Sequence, residues 1–212
     1  MALKLAVLAS GGGTNFQAIL DAINGGRLDA EVVLIASNKE HARALERGRN
    51  FGVRAEYIPP GDDYDDRLHD LLEEAAPDLI VLAGYMKLIA ARTVRRWSGR
   101  MLNIHPALLP AFGGKGMYGM HVHEAVLESG TRVTGVTVHI VDEEYDRGPI
   151  IAQLAVPVLD GDTAETIQQR VLKREYEIYP RVIQWLSEGR IHIEDGRVSG
   201  GEPDPLLIQE RS

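Results

Sequence analysis

The sequence predicts an α/β protein with an open, mostly parallel twisted sheet, helices on both faces, and an antiparallel strand pair in its C-terminal half. Two observations lead to this prediction. Apolar, β-rich runs alternate with longer helical patterns through the first half, which is the order of a parallel sheet with right-handed crossovers. In the second half, two long strand patterns are separated only by a short acidic loop, which favours antiparallel pairing.

The first half contains five predicted strands, at residues 3–9, 31–37, 53–59, 78–84 and 100–105. The runs at 3–9 and 78–84 have little polar interruption, as expected of strands that are covered on both faces. Helical patterns lie between the strands, at residues 15–24, 40–50, 64–75 and 90–97. This alternation is typical of the Rossmann-like sheets that bind nucleotides.

The second half begins with a glycine-rich stretch, 112–119, and a predicted helix around 121–129. The strand patterns at 132–141 and 149–159 follow, and a long helix is predicted from about 163 to 187, opened by the capping sequence that starts at Asp162. We expect one domain over residues 1–190 and a partly irregular tail over 191–212.

Composition and charge narrow the function. The 212 residues include no cysteine, which excludes disulfides, thiolate metal sites and a cysteine nucleophile. The net charge of −8 argues against nucleic acid as a partner. No apolar run approaches the roughly 20 residues that span a bilayer, and the N-terminus does not resemble a signal peptide. We therefore expect a cytoplasmic protein without membrane contact that acts on small molecules, as a monomer or a homodimer.

A glycine-rich turn, Ser10-Gly-Gly-Gly-Thr-Asn15, joins the first strand to the first helix. Glycines let a ligand approach the backbone, and the first N–H groups of a helix attract anions. The dinucleotide fingerprint fails because Phe16 stands where its last glycine belongs, and no Gly-Lys-Ser/Thr of a triphosphate loop occurs. The turn therefore predicts a phosphate site without a dinucleotide, with a plain tight turn and helix cap as the alternative.

Two polar side chains close the fifth predicted strand. Asn103 and His105 are two positions apart, so they lie on one face, at the carboxyl end of a strand where open α/β sheets bind ligands. An imidazole can move a proton near neutral pH, and a carboxamide can stabilise an oxyanion. The alternative is a pair that only satisfies a strand-end turn. Asp146, in the acidic loop, is a candidate for orienting His105 and raising its pKa.

Three further histidines are candidates for a metal site. His121 and His123 follow the glycine-rich stretch, and His139 lies in the next strand pattern. No carboxylate or third histidine stands at a diagnostic spacing, so we predict no metal. A mobile lid over 112–123 fits the glycine-rich stretch better.

Together these segments resemble the folate-dependent formyltransferases, over nearly the whole chain from Lys4 to about Arg190. The Asn-x-His-Pro-x-Leu-Leu-Pro segment followed later by Asp-x-Gly-Pro is the most specific part, whereas the glycine-rich turn alone is not. The resemblance rests on Ala9-Ser-Gly-Gly-Gly-Thr-Asn-Phe-Gln-Ala18, Leu82-Ala-Gly-Tyr-Met-Lys87, Asn103-Ile-His-Pro-Ala-Leu-Leu-Pro110 and His139-Ile-Val-Asp-Glu-Glu-Tyr-Asp-Arg-Gly-Pro149.

The resemblance implies an activity and a catalytic trio. The formyl group of 10-formyltetrahydrofolate would pass to the amine of 5-phosphoribosylglycinamide in purine biosynthesis, without a metal. Asn103 would stabilise the tetrahedral oxyanion, and His105 would carry the proton from the amine to the departing folate nitrogen. Asp146 would keep the imidazole oriented and protonatable.

The resemblance also implies the binding residues. The phosphate of the ribonucleotide would lie on the glycine-rich turn, and the folate pterin along the segment after the fourth strand, beside loop 142–146. The ribonucleotide set is Gly13, Thr14, Asn15 and Glu175, and the folate set is Met86, Lys87, Leu88, Ile89 and Asn103.

The chain departs from the family pattern in three places. Lys87 stands where the family often has arginine, and 112–119 is longer than the loop of some relatives. The segment 61–66 is acidic where the family often has a basic residue, which leaves Arg67 as the candidate for contact with the folate glutamate tail.

Other functions on the same core stay open at this point, namely a formyltetrahydrofolate hydrolase or a sugar-nucleotide formyltransferase. A formyltransferase acting on tRNA is disfavoured by the acidic charge and by the short stretch after the last long helix. A non-catalytic nucleotide-binding module would leave the pairing of Asn103 with His105 unexplained.

Overall fold

A computed structural model describes residues 2–194 and 197–200 of the chain. Its strands are β1 (Leu3–Leu8), β2 (Ala30–Ser37), β3 (Ala55–Tyr57), β4 (Leu79–Leu82), β5 (Met101–His105), β6 (Val133–Ile140), β7 (Ile150–Pro157), β8 (Ile191–Glu194) and β9 (Arg197–Gly200). Its helices are α1 (Thr14–Asn24), α2 (Arg43–Asn50), α3 (Tyr64–Ala75), α4 (Ala91–Arg96), α5 (Met120–Glu128) and α6 (Ala164–Ser187). Every helix and strand predicted over residues 1–190 is present.

Seven strands form one mixed sheet in the order β3-β2-β1-β4-β5-β6-β7. The pairs from β3 to β5 are parallel, whereas β6 runs antiparallel to both β5 and β7. The predicted fold class is therefore confirmed, including the antiparallel pair β6–β7. The pairing of β6 with β5 was not predicted, and it brings β6 beside the strand that carries Asn103 and His105.

Two layers of helices cover the sheet, as predicted. In β1, Leu5 and Val7 face the layer formed by α1, α2, α5 and α6, whereas Ala6 and Leu8 face α3 and α4. All four side chains are fully buried, because successive residues of a strand point to opposite faces and both faces are covered here. This explains the nearly unbroken apolar run at the start of the chain.

Helix α6 begins with a reciprocal cap. The hydroxyl of Thr163 accepts from the Thr166 amide, and the hydroxyl of Thr166 accepts from the Thr163 amide. Asp162 accepts two hydrogen bonds from Arg170, eight residues further on and about two turns into the helix, so the predicted capping region is confirmed. Helix α2, by contrast, begins at Arg43 and not at residue 40, because Ala42 still has an extended backbone.

The predicted tail contains one ordered pair of strands. β8 and β9 form a small antiparallel sheet, because Ile191 and Ile193 alternate with polar residues and Ile191 is buried. The tail was predicted to be partly irregular, which leaves room for this pair of strands, and residues 195–196 and 201–212 lie outside the described part.

The strand order creates a crevice at the carboxyl ends of the central strands β1 and β4. From β1 the chain proceeds to β2 and β3 on one side, then returns through α3 to β4 on the other side of β1. The loops that follow β1 and β4 therefore leave the sheet in different directions, which is where such sheets bind ligands. Among the described residues, no helix is long and apolar enough to cross a membrane.

Candidate active site

A cavity of about 680 Å³ lies in this crevice, at the carboxyl ends of β1, β4 and β5. It brings together the predicted catalytic trio and both predicted sets of binding residues, the ribonucleotide set and the folate set. These residues are Gly13, Thr14, Asn15, Met86, Lys87, Leu88, Ile89, Asn103, His105, Asp146 and Glu175.

The glycine-rich turn forms one end of the cavity and leads into α1. Gly13 has a left-handed backbone with φ 66°, and a Cβ there would lie 2.7 Å from the Cβ of Ala44. Arg47 of α2 donates from Nε to the Gly12 carbonyl at 2.8 Å, which fastens the turn to its neighbouring helix. No side chain caps α1, so its first N–H groups are available to an anion.

Next to this turn, Asn15 and Glu175 form a buried pair. Asn15 donates from Nδ2 to Oε2 of Glu175 at 2.6 Å, and Glu175 is only 5% exposed. Burial raises the pKa of Glu175 to about 7, although the hydrogen bond from Asn15 acts in the opposite direction. The Oδ1 atom of Asn15 is buried and has no hydrogen-bond partner among the described residues.

Asn103 and His105 lie on one face of β5, as predicted, and the antiparallel strand β6 places His139 opposite Asn103. The side-chain nitrogen Nδ2 of Asn103 lies 3.1 Å from Nε2 of His139 and 3.4 Å from Oδ1 of Asp146. Nδ1 of His139 lies 2.9 Å from the Ile140 carbonyl, which can only accept, so Nδ1 carries the hydrogen in the neutral ring. Nε2 of that ring then accepts from Asn103.

Both ring nitrogens of His105 face hydrogen-bond acceptors. Nε2 lies 2.8 Å from the Phe112 carbonyl, and Nδ1 lies 3.5 Å from Oδ2 of Asp146. Because a carbonyl only accepts, the hydrogen of the neutral ring belongs on Nε2, and the Nδ1 lone pair faces the carboxylate. The second backbone contact comes from the Gly114 amide, which donates to Oδ2 of Asp146 at 2.9 Å.

The glycine-rich loop thus holds both members of the His105–Asp146 pair through its backbone. Phe112 has a left-handed conformation with φ 54°, which is uncommon for a residue with a side chain. From the sequence, this loop was predicted only to be a lid, and its contacts with His105 and Asp146 were not predicted.

Burial is the largest influence on the pKa of His105 and lowers it. Its side chain is 4% exposed, and desolvation lowers the pKa below the ordinary value, although Asp146 and the Phe112 carbonyl raise it. The expected effect of Asp146 is therefore present, but it does not determine the net direction. For Asp146, burial favours the neutral form, yet His139, His105 and the Gly114 amide outweigh it and hold its pKa below the usual value.

From the sequence, His139 was a candidate only as a metal ligand and was not predicted to belong to the catalytic site. The position of His139 near the end of a strand pattern was visible in the sequence. Its place beside Asn103 was not, because this depends on the antiparallel pairing of β6 with β5. His121 is exposed and lies beside Glu124, whereas His123 is buried and lines the cavity. Within 2–194 and 197–200, no group of three or more histidine or acidic side chains is arranged to hold a metal ion.

The segment after β4 forms the other end of the cavity. Met86 and Leu88 are 48% and 45% exposed, and Ile89 is buried. Nζ of Lys87 lies 3.4 Å from Oδ1 of Asp65 and 3.3 Å above the ring of Tyr64. Arg67, the candidate for the glutamate tail, donates to Asp63 and to the Pro59 carbonyl and does not line the cavity.

An amide, an imidazole and a carboxylate beside an anion-binding turn suit the transfer of an acyl group to an amine on a phosphorylated substrate. The chain belongs to the formyl transferase family, whose pattern matches residues 3–183.

Individual relatives agree with this assignment. The chain is 46% identical over 200 residues to the chloroplastic phosphoribosylglycinamide formyltransferase of Arabidopsis thaliana, covering 91% of this chain and 68% of that protein. It is 40% identical over 197 residues to the phosphoribosylglycinamide formyltransferase of Haemophilus influenzae, covering 91% of each. The crystal structure of glycinamide ribonucleotide transformylase 1 from Symbiobacterium toebii is 42% identical, with a TM-score of 0.87 over 95% of each chain.

Proposed function

We infer that the protein is an enzyme of purine biosynthesis that transfers a formyl group to the amine of 5-phosphoribosylglycinamide, with 10-formyltetrahydrofolate as the donor. The cluster of Asn103, His105 and Asp146, in one cavity with an anion-binding turn, carries this inference. The names of the relatives agree with it.

The ribonucleotide binds at the end of the cavity formed by the glycine-rich turn. Gly13, Thr14 and Asn15 hold the phosphate through backbone N–H groups at the start of α1. Glu175 and the unpaired Oδ1 of Asn15 accept hydrogen bonds from the ribose hydroxyls, which satisfies a buried polar atom.

The folate binds at the opposite end. Its pterin lies along Met86, Lys87, Leu88 and Ile89, where exposed apolar side chains adjoin backbone polar groups. The two substrates then meet at β5, which delivers the formyl carbon and the attacking amine to Asn103 and His105.

The amine attacks the formyl carbon and the carbonyl oxygen becomes an oxyanion. Nδ2 of Asn103 donates one hydrogen to His139, while its other hydrogen makes only the long 3.4 Å contact with Asp146. That second hydrogen is the one that Asn103 offers to the oxyanion, a contribution worth about 3 kcal/mol in comparable sites.

His105 then takes the proton from the amine. Its lowered pKa keeps the free imidazole neutral at neutral pH and able to accept. His105 holds the proton on Nδ1. The nitrogen whose lone pair faced Asp146 then forms an ion pair with that carboxylate. As the oxyanion re-forms the carbonyl, the bond between the formyl carbon and the folate nitrogen breaks, and the imidazolium donates its proton to that nitrogen. The formyl group passes directly from folate to amine, so no covalent enzyme intermediate forms.

Four properties accompany this activity as part of the proposal. The enzyme works in the cytoplasm on small molecules without nucleic acid, as a monomer or a homodimer. Residues 1–190 form its catalytic domain. The hydrolase and sugar-nucleotide alternatives are not favoured, since the curated relatives are named for transfer to phosphoribosylglycinamide.

The test combines the protein with 10-formyltetrahydrofolate and 5-phosphoribosylglycinamide and follows deformylated folate by absorbance and the formylated ribonucleotide by mass spectrometry. We expect both products in equal amounts. Equal release of folate without the ribonucleotide would establish a hydrolase. Preferential formylation of an amino sugar nucleotide would establish the other alternative.

A further inference from the structure

The hydroxyl group of Ser10 joins three loops at the carboxyl edge of the sheet. Ser10 Oγ donates to Oδ1 of Asn38, after β2, at 2.7 Å, and accepts from the backbone amide of Met86, after β4, at 2.9 Å. The Ser10 amide also donates to the Gly84 carbonyl at 3.0 Å. Ser10 itself follows β1 and is the first residue of the glycine-rich turn.

Two of the three loops, the glycine-rich turn and the segment after β4, line the substrate cavity, although Ser10 itself does not. The turn at Gly11–Asn15 lines the ribonucleotide end, and Met86 begins the segment assigned to the folate. That segment, 84–90, has no regular secondary structure, and Met86 is 48% exposed. The side chains of Tyr85, Lys87 and Ile89 hold this segment, and the hydrogen bond from the Met86 amide to Ser10 fixes its backbone.

The orientation of the hydroxyl makes this contact specific. Because the single hydrogen of Ser10 Oγ is directed to Asn38, a lone pair remains for the Met86 amide. A shift of the turn when it binds phosphate moves Oγ, and the Met86 amide must follow or lose its partner. A shift of the folate segment acts on the turn in the same way, since linkage between two binding sites is reciprocal.

We propose that Ser10 is a positioning residue that couples the ribonucleotide site to the folate site. Each substrate, once bound, holds the loop of the other in its binding geometry. The proposal rests on the function inferred above, because it needs the two substrates to occupy the two ends of the cavity.

The test measures this coupling at equilibrium with a pair that cannot react. The dissociation constant of folic acid, which carries no formyl group, is determined by calorimetry without and with saturating 5-phosphoribosylglycinamide. For the unmodified protein we expect tighter folic acid binding with the ribonucleotide, by about fivefold, the equivalent of one hydrogen bond of about 1 kcal/mol. In Ser10→Ala this ratio falls to about one, and the KM values of both substrates rise more than kcat falls.

Three further variants separate coupling from a general loss of structure. Ser10→Thr keeps the hydroxyl and retains the ratio. Ser129→Ala removes the same type of bond, from the Thr131 amide to a serine hydroxyl at 3.2 Å, away from the three loops that Ser10 joins, and also retains it. Asn38→Ala leaves Ser10 in place but removes the acceptor that orients it, and lowers the ratio partly, which keeps the test available if Ser10→Ala is unstable.

The outcomes are distinguishable. A ratio in Ser10→Ala equal to that of the unmodified protein, or no coupling in the unmodified protein, overturns the role of Ser10. Failure of the unmodified protein to formylate the ribonucleotide overturns the proposed function instead.

Discussion

Replacing Glu175 by glutamine changes how stability depends on pH. The pKa of this carboxyl is 4.5 in an unperturbed state and about 7 in the fold, because burial disfavours the charged form. A raised folded pKa means that the contribution of Glu175 to stability is fully present below pH 4.5. It is lost as the pH rises from 4.5 through 7, because over this range the carboxyl ionises in the unfolded chain but stays largely protonated in the fold.

The size of this effect follows from the two pKa values. A difference of 2.5 between 4.5 and about 7 corresponds to about 3 kcal/mol, at 1.36 kcal/mol for each pKa unit. Glutamine is neutral in both states and keeps a carbonyl for the 2.6 Å hydrogen bond from Asn15. Glu175→Gln should therefore gain about 2 to 3 kcal/mol of stability, relative to the unmodified protein, between pH 5 and pH 8.

Urea unfolding at pH 5 and pH 8 measures this difference, and all other titrating groups cancel between the two proteins. Glu177→Gln is the matched control, since it makes the same change at an exposed position of the same helix. Because Glu175 is also proposed to bind the ribose, Glu175→Gln should raise the KM for the ribonucleotide by about tenfold. Parallel stability curves for Glu175→Gln and the unmodified protein would refute the assignment of a buried, half-ionised carboxyl.

The remaining predictions concern catalysis and the phosphate turn. His105→Gln should lower kcat by about 10²–10⁴ while ribonucleotide binding, measured by calorimetry, stays within about twofold; unchanged turnover excludes His105 as the proton carrier. Asp146→Asn removes the charge that raises the pKa of His105, so the His105 C–H resonances should titrate at lower pH in an NMR series, and an unchanged midpoint argues against this role. Gly13→Ala places a Cβ 2.7 Å from that of Ala44 at a φ of 66°, so thermal unfolding should show a loss of about 1–3 kcal/mol and the KM for the ribonucleotide should rise. Retained stability and KM would show that the turn is not constrained there.

The parts of the fold that were predictable depend on local patterns. Helix α3 occupies the predicted residues 64–75, because its apolar residues recur at helical spacing over three turns. The run at 3–9 was recognisable as a buried strand because it is short and apolar with little polar interruption. Boundaries such as the start of α2 depend on one backbone angle at Ala42, which residue patterns do not specify.

The parts of the site that were missed depend on contacts distant in sequence. His139 joins Asn103 only because β6 pairs with β5 in an antiparallel register. The Phe112 carbonyl reaches His105 through a left-handed backbone, and main-chain groups carry no residue-specific signal. The net direction of the His105 pKa depends on burial, which exceeds the influence of the nearest charge.

The bond between Asn15 and Glu175 joins two positions 160 residues apart, and this has a consequence during synthesis. The elements that hold the glycine-rich turn, β1, α1 and α2, all lie within the first 50 residues and leave the ribosome early. Glu175, the carboxyl proposed to complete the ribonucleotide end, arrives only with α6, the last helix of the described chain. Ligand binding therefore stabilises finished chains and not partly made ones, because a ligand stabilises only the state that binds it. A cell with abundant ribonucleotide would protect its complete enzyme from proteolysis and leave truncated chains exposed to it.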